Sequence, residues 1–202
     1  MTLEVKSISN DLIENITKLH QEAFDGFFLS ELGSDFLSTY YDSVRENDRG
    51  VLLGCFEDKK LLGFCAATTL SEGFNKYLVK SNFFSFAKIG FFLLFTRPKA
   101  LLRLLKNFTK SDPSVSDDGR YAELLSIGVS PSAQGKGVGK KLLMALEEYL
   151  NDKNVSQLSL TTDFYDNEKT QSFYKGLGYE IMYDFVAYPD RRMYRLIKKI
   201  QQ

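Results

Sequence analysis

The chain has 202 residues, 44% of them hydrophobic, with 26 Lys+Arg against 26 Asp+Glu, so its formal net charge is zero. That composition suits one globular domain, residues 1–202, large enough to bury a core, and a neutral chain has no global attraction to nucleic acid. Two cysteines and a single histidine exclude a cysteine/histidine zinc cluster; no metal is expected, and the default setting is a reducing cytoplasm.

The opening MTLEVKSISNDLIEN has early acids and no apolar core, so no secretory signal is expected there. No apolar run reaches the roughly 18 residues of a spanning helix. Residues 3–8 alternate as a short strand. Asn10 is the expected cap of a helix in which Leu12, Ile13, Ile16, Leu19, Ala23 and Phe24 recur at helical spacing. His20 lies beside that stripe and reads as a structural histidine rather than a catalytic one. After an aromatic loop, DGFFLSELG, a second amphipathic helix presents Phe36, Leu37, Tyr40, Tyr41 and Val44 on one face. VLLGCFE and LLGFCAATT, either side of Asp58-Lys59-Lys60, form a hairpin. It brings Cys55 and Cys65 near each other as two buried small hydrophobes, a disulfide being the less favoured alternative.

From Gly73 to Ser111 there is no acidic residue, yet eight bases occur: Lys76, Lys80, Lys88, Arg97, Lys99, Arg103, Lys106 and Lys110. Eight of the 17 phenylalanines fall in the same window. Pro98 is expected to divide it into two helices, the second with a stripe of Leu101, Leu102, Leu104, Leu105 and Phe108. SDPSVSDDG follows as a loop. Then come a strand at 121–129, a helix at 135–151, a strand at 155–162, a helix from about Asn167 to Gly176, and closing strands at 179–187 and 193–199.

The chemistry centres on ELLSIGVSPSAQGKGVGK, residues 123–140, where a strand stops at Pro131 and opens into three alternating glycines. A nucleotide P-loop ending in Gly139-Lys140 needs glycine at position 134 and a hydroxyl at 141; the chain has Gln134 and Lys141. A dinucleotide fingerprint needs its last glycine where Lys140 stands. What remains is a strand-to-helix turn whose N–H groups and helix N-terminus favour an anion, with Lys136, Lys140 and Lys141 adding charge. A pyrophosphate fits; a turn with no ligand is the alternative.

Gln134-Gly135-Lys136-Gly137-Val138-Gly139 resembles the signature Gln/Arg-x-x-Gly-x-Gly/Ala of the GNAT-type N-acetyltransferases. A second segment, NEKTQSFYKGLGYE, is similar to that family's Asn-x3-Ala-x2-Phe-Tyr-x3-Gly-Phe element through Asn167, Phe173, Tyr174, Gly178 and Tyr179. Thr170 and Gln171 stand where smaller residues are usual. The resemblance covers about residues 50–180 and implies an α/β (α+β) fold: a mixed, mostly antiparallel, splayed sheet of six or seven strands flanked by helices. The basic, phenylalanine-rich segment at about 71–118 is then a helical insert, the main departure from the family pattern.

The resemblance further implies that acetyl-CoA is the cosubstrate, bound by Gln134, Gly135, Lys136, Gly137, Val138, Gly139 and Lys140. Ile127, Gly128 and Val129 would lie along it, as would Asn167, Phe173 and Tyr174. The acetyl group would pass to a primary amine by direct attack, with a backbone N–H of 127–129 polarising the thioester. Tyr174 occupies the position of the general acid, or simply packs its helix on the sheet. Glu123, eleven residues before Gln134, matches the general-base spacing of some members, with Asp163 or an ordered water in reserve and a rim salt bridge as the plain alternative. The acceptor is expected to be a small molecule, the insert's bases favouring an anionic one such as an amino sugar derivative, or a peripheral contact with a membrane. A protein or peptide acceptor, a degenerate acyl-CoA-binding member and a membrane-docking module stay open.

Overall fold

A computed structural model describes residues 2–109 and 117–200. The expected elements are there in order, and the loop DGFFLSELG adds a short helix that was not expected, α2 (Phe28–Glu31): β1 (Leu3–Ser7), α1 (Ile13–Ala23), α2, α3 (Ser34–Glu46), β2 (Gly50–Glu57) and β3 (Lys60–Thr68). The insert follows as α4 (Phe74–Ser81), α5 (Phe83–Thr96) and α6 (Pro98–Thr109). The remainder is β4 (Ala122–Val129), α7 (Val138–Asp152), β5 (Gln157–Asp163), α8 (Glu168–Gly176), β6 (Glu180–Ala187) and β7 (Arg191–Lys199).

Among the described residues the strands make one seven-stranded sheet, ordered β1-β2-β3-β4-β5-β7-β6. Every neighbouring pair is antiparallel except β4–β5, which is parallel. That parallel pairing runs only from Ala122↔Leu158 to Leu124↔Leu160. Beyond it β4 stays with β3 and β5 with β7, so the sheet forks. A bulge marks the fork: Ala66 faces Ser126 and Ala67 faces Leu124, leaving Leu125 as the extra residue of β4. An extra residue bends its strand and resets which face each later side chain meets.

One core cluster joins α7 and Tyr174 and Tyr179 to one face of the sheet; Cys55 and Cys65 are both in it. Their thiols are free and buried, Cys65 facing Leu53 and Cys55 facing Gly63, so they pack as small hydrophobes. The other cluster packs α1, α3 and, from the insert, Phe74, Leu78 and Leu93 on the opposite face.

Three other expectations change. Asn10 does not cap α1: it opens a 3-10 turn, Asn10–Leu12, that leaves Leu12 at the N-cap of α1, and the Ser9 hydroxyl donates to Asp11 Oδ1 at 2.5 Å. The insert has three helices, not two. Pro98 begins α6 as expected, but Ser81 and Asn82 also turn their side chains onto the Tyr77 and Leu78 carbonyls and end α4. α4 and α5 meet at 91°. Finally, the helix expected from 135 starts at Val138, because Gly135 and Gly137 adopt φ of 79° and 78°, a left-handed conformation that a right-handed helix excludes. Most of the expected loop, 111–116, lies outside the described residues, as do Lys110 and the Phe108 side chain.

Candidate active site

The fork opens a groove of about 970 Å³ between β4 and β5. Ile127, Gly128 and Val129 form one wall, and Leu160 to Asp163 the other. At one end sits the glycine loop with Gln134, Gly135, Gly137, Val138, Gly139 and Lys140; α8 closes the side with Asn167, Phe173 and Tyr174. Thus twelve residues picked from separate sequence segments share one cavity. Past Leu124, β4 has no strand paired on its groove side, so its edge N–H groups face whatever fills the groove.

The loop is built for close approach. A Cβ added at Gly135 or Gly137 meets no atom within 4 Å, so the space beside the backbone is open. The first turn of α7 adds N–H groups without intrahelical partners. Of the three lysines expected to add charge, only Lys140 lines the groove. Lys136 is exposed and lies outside the lining, and Lys141 turns away to donate to the Leu3 carbonyl on β1.

α8 is tied to the end of β5 by the residues that depart from the family pattern as well as those that match it. Asn167 Nδ2 donates to Thr162 Oγ1 at 2.7 Å, and Gln171 Nε2 donates to the carbonyls of Asp163 and Phe164, each at 3.0 Å. Tyr174 is buried, its ring against Phe173 and Tyr179. Burial pushes its phenol up to about 12, with the Cys65 thiol adding a smaller push. No other described residue takes a hydrogen bond from that phenol.

Glu123 does not line the groove. It stands on β4 just before the fork, its Oε1 accepting from Arg195 Nη1 at 2.5 Å and its Oε2 from the Ser71 hydroxyl. Both partners of the ion pair are largely buried, 14% and 16% exposed. Glu123 faces a second cavity of about 460 Å³, between the insert and α3, that adjoins the groove at Leu124, Leu125 and Thr161. Asp163 does line the groove, clamped by Nε and Nη2 of Arg191 at 2.5 and 2.6 Å. None of the seven described bases of the insert lines either cavity; Arg103 pairs with Glu31 and stacks on Phe28, and Arg97 donates to the Glu31 carbonyl.

His20, read from the sequence as a structural histidine, also belongs to the groove. His20 is 2% exposed, lines the groove, and holds the Tyr41 hydroxyl on Nδ1 at 2.6 Å, Tyr41 reaching on to Ser126 at the bulge. Its Nε2 is buried without a partner, and burial lowers its pKa to about 4, so the ring is neutral. The signal available was only helical spacing, which cannot tell a core position from a groove position on the same face.

Comparison with known proteins agrees on the fold first. An N-acetyltransferase from Staphylococcus aureus Mu50 superposes with a TM-score of 0.64 over the whole of both chains at 14% identity. The PaiA N-acetyltransferase of Thermoplasma acidophilum, in complex with coenzyme A, does so with 0.56 over 98% of this chain and 99% of that one at 16% identity. The model of the acetyltransferase (GNAT) family matches residues 13–179, and the chain belongs to that family. Among curated proteins, the mycothiol acetyltransferase of Rhodococcus jostii (strain RHA1) is 31% identical over 99 residues, 49% of this chain and 32% of that protein. The chain spans about a third of the length of the curated relatives it matches first.

Proposed function

We propose that residues 1–202 form one acetyltransferase domain, with 71–118 as an insert, that transfers acetyl from acetyl-CoA to the primary amine of a small molecule. One observation carries this reading: the glycine loop, the freed edge of β4 and the Tyr174 phenol meet in a single groove. The loop residues Gln134 to Lys140 hold the pyrophosphate on backbone N–H groups and the α7 N-terminus, with Lys136 contributing from the rim. Ile127 to Val129 align the thioester and one of their N–H groups polarises its carbonyl.

The amine nitrogen bonds to the thioester carbon and the carbon–sulfur bond breaks, so one proton must leave nitrogen and the sulfur departs as thiolate. Glu123 takes the nitrogen's proton from the side of the second cavity. Tyr174 gives the sulfur a hydrogen bond. A phenol near 12 facing a thiol near 8.5 favours that bond over full proton transfer, which is uphill by about 5 kcal/mol at some 1.4 kcal/mol per unit. A small-molecule acceptor is supported by the relatives named mycothiol acetyltransferases.

The insert adds a peripheral contact with anionic membrane surface. No helix among the described residues is long and apolar enough to cross a bilayer. α5, however, turns Phe84 and Phe95 outward at 87% and 72% exposure, flanked by bases and no acids. Flotation with phosphatidylserine vesicles tests this part; the native protein floats and a Phe84→Ser/Phe95→Ser variant does not. The enzymatic reading is tested by thiol release from acetyl-CoA across a panel of primary amines, which the native protein accelerates. Absence of release with every amine contradicts it.

A further inference from the structure

We infer that the cavity beneath the insert holds the hydrocarbon chain of the acceptor, making the substrate an amphiphilic primary amine. The inference rests on the acetyl-transfer reading above and names the acceptor class for the same site. At about 460 Å³ the cavity has the size of a small-molecule site, and its walls are apolar: Leu78, Phe86, Ile89 and Leu93 on the insert side, Leu101 and Leu104 across from them. An apolar cavity of this kind gains nothing from water and recovers its lost contacts from a hydrocarbon.

It is connected at both ends. At the inner end, Leu124, Leu125 and Thr161 belong to this cavity and to the groove alike, at the fork where β4 and β5 part. At the outer end, Phe83 and Leu105 line it while being 59% and 55% exposed, so it opens on the outward aromatic face of the insert. Among the described residues Glu123 is the one charged side chain in the lining, and it sits beside the fork. An amine at the head of a chain lying in the cavity therefore meets, next to the reaction centre, a carboxylate held by Arg195 and Ser71 that takes the one proton leaving its nitrogen. An acyl thioester entering from the glycine loop has no proton to give up and needs no such partner. That asymmetry assigns the chain to the acceptor.

Gly90 supplies the test. It lines the cavity inside α5, and a Cβ added there meets nothing within 4 Å. Gly90→Phe fills the space while removing a glycine from a helix interior, a change that favours folding. Rates of thiol release from acetyl-CoA would be measured for n-butylamine through n-dodecylamine. The expected kcat/KM rises up to fourfold per added methylene until the cavity is full. Gly90→Phe flattens the series and leaves the n-butylamine rate within twofold. A flat native series, or a slope that survives the plug because chains merely bind the exposed phenylalanines, overturns the inference. A companion series holds n-butylamine fixed and lengthens the donor from acetyl-CoA to decanoyl-CoA. A plug-sensitive slope there reassigns the cavity to the acyl donor and overturns it too. Calorimetric titration with n-decylamine alone separates this inference from the catalytic reading. Binding that Gly90→Phe weakens at least tenfold supports the cavity even if no amine is acetylated; equal binding by both proteins refutes it.

Discussion

The Glu123–Arg195 pair joins stability to catalysis, and a double-mutant cycle pulls them apart. Glu123→Gln leaves the guanidinium facing a neutral amide in a site where both side chains are about six-sevenths buried and where Arg195 Nε already lacks a partner. Breaking a buried pair typically costs 3–5 kcal/mol. The residual exposure of each side chain and the Tyr121 ring 5.7 Å from the guanidinium soften this, so about 2–3 kcal/mol is expected. In a chain of this size that lowers Tm by roughly 4–12 °C, at some 2–4 °C per kcal/mol. Arg195→Met should cost a similar amount, since it strands the carboxylate. The double variant removes both charges and should recover most of the summed loss of about 4–6 kcal/mol, a coupling of about 3–4 kcal/mol in urea unfolding. If Glu123 takes the proton from the amine, the double variant is stable yet retains a loss of 10²- to 10⁴-fold in kcat. Additive stability losses would refute the pair's structural weight. Full activity in the stabilised double variant would refute Glu123 as the base.

Two further predictions rest on shifted proton affinities. Tyr174→Phe should lower kcat by tenfold or more, with acetyl-CoA affinity within twofold. Because burial raises the phenol to about 12, the donor stays protonated from pH 6 to 10, so rate profiles of the native enzyme should show no tyrosine limb there, and finding one would contradict the assignment. His20 behaves in the opposite sense: its folded pKa is about 4 against 6.5 unfolded, so between those values the unfolded chain binds a proton that the fold refuses. Stability must fall as pH drops from 6.5 to 4, by up to about 3 kcal/mol, and level off below. A His20→Gln variant should lose that component; identical urea midpoints' dependence on pH in both proteins would argue against it.

How much of this was visible beforehand depends on the range of the interactions involved. The glycine loop and α8 were legible because each signal lies within a dozen residues: left-handed glycines after a strand, and Asn167 with Phe173 and Tyr174 on one short helix. The alternating apolar patterns likewise placed all seven strands near their observed bounds. The fork was not visible from the residues alone, since the bulge at Leu125 depends on its register with Ala66 and Ala67, 58 or more residues earlier. Glu123 was picked by spacing, but spacing carries no direction, and only the fold turns it toward Arg195 and the second cavity. Lys141 shows the same gap: its charge is spent on the Leu3 carbonyl, 138 residues away. The insert's composition announced an unusual surface, yet on α5 Leu93 faces the core while Phe84 and Phe95 face out, a division no local pattern in so apolar a helix reveals.

The central claim is that the glycine loop binds the pyrophosphate of acetyl-CoA, and calorimetric titration of the native protein beside Gly137→Glu tests it most directly. Residue 137 is left-handed with open space at its Cβ, so the variant costs roughly 1–2 kcal/mol of backbone strain and leaves the fold in place, which circular dichroism verifies. It also sets a negative charge where the phosphates would lie. The account predicts saturable binding of acetyl-CoA by the native protein and none by the folded variant. Equal binding by both, or none by the native protein, would contradict it.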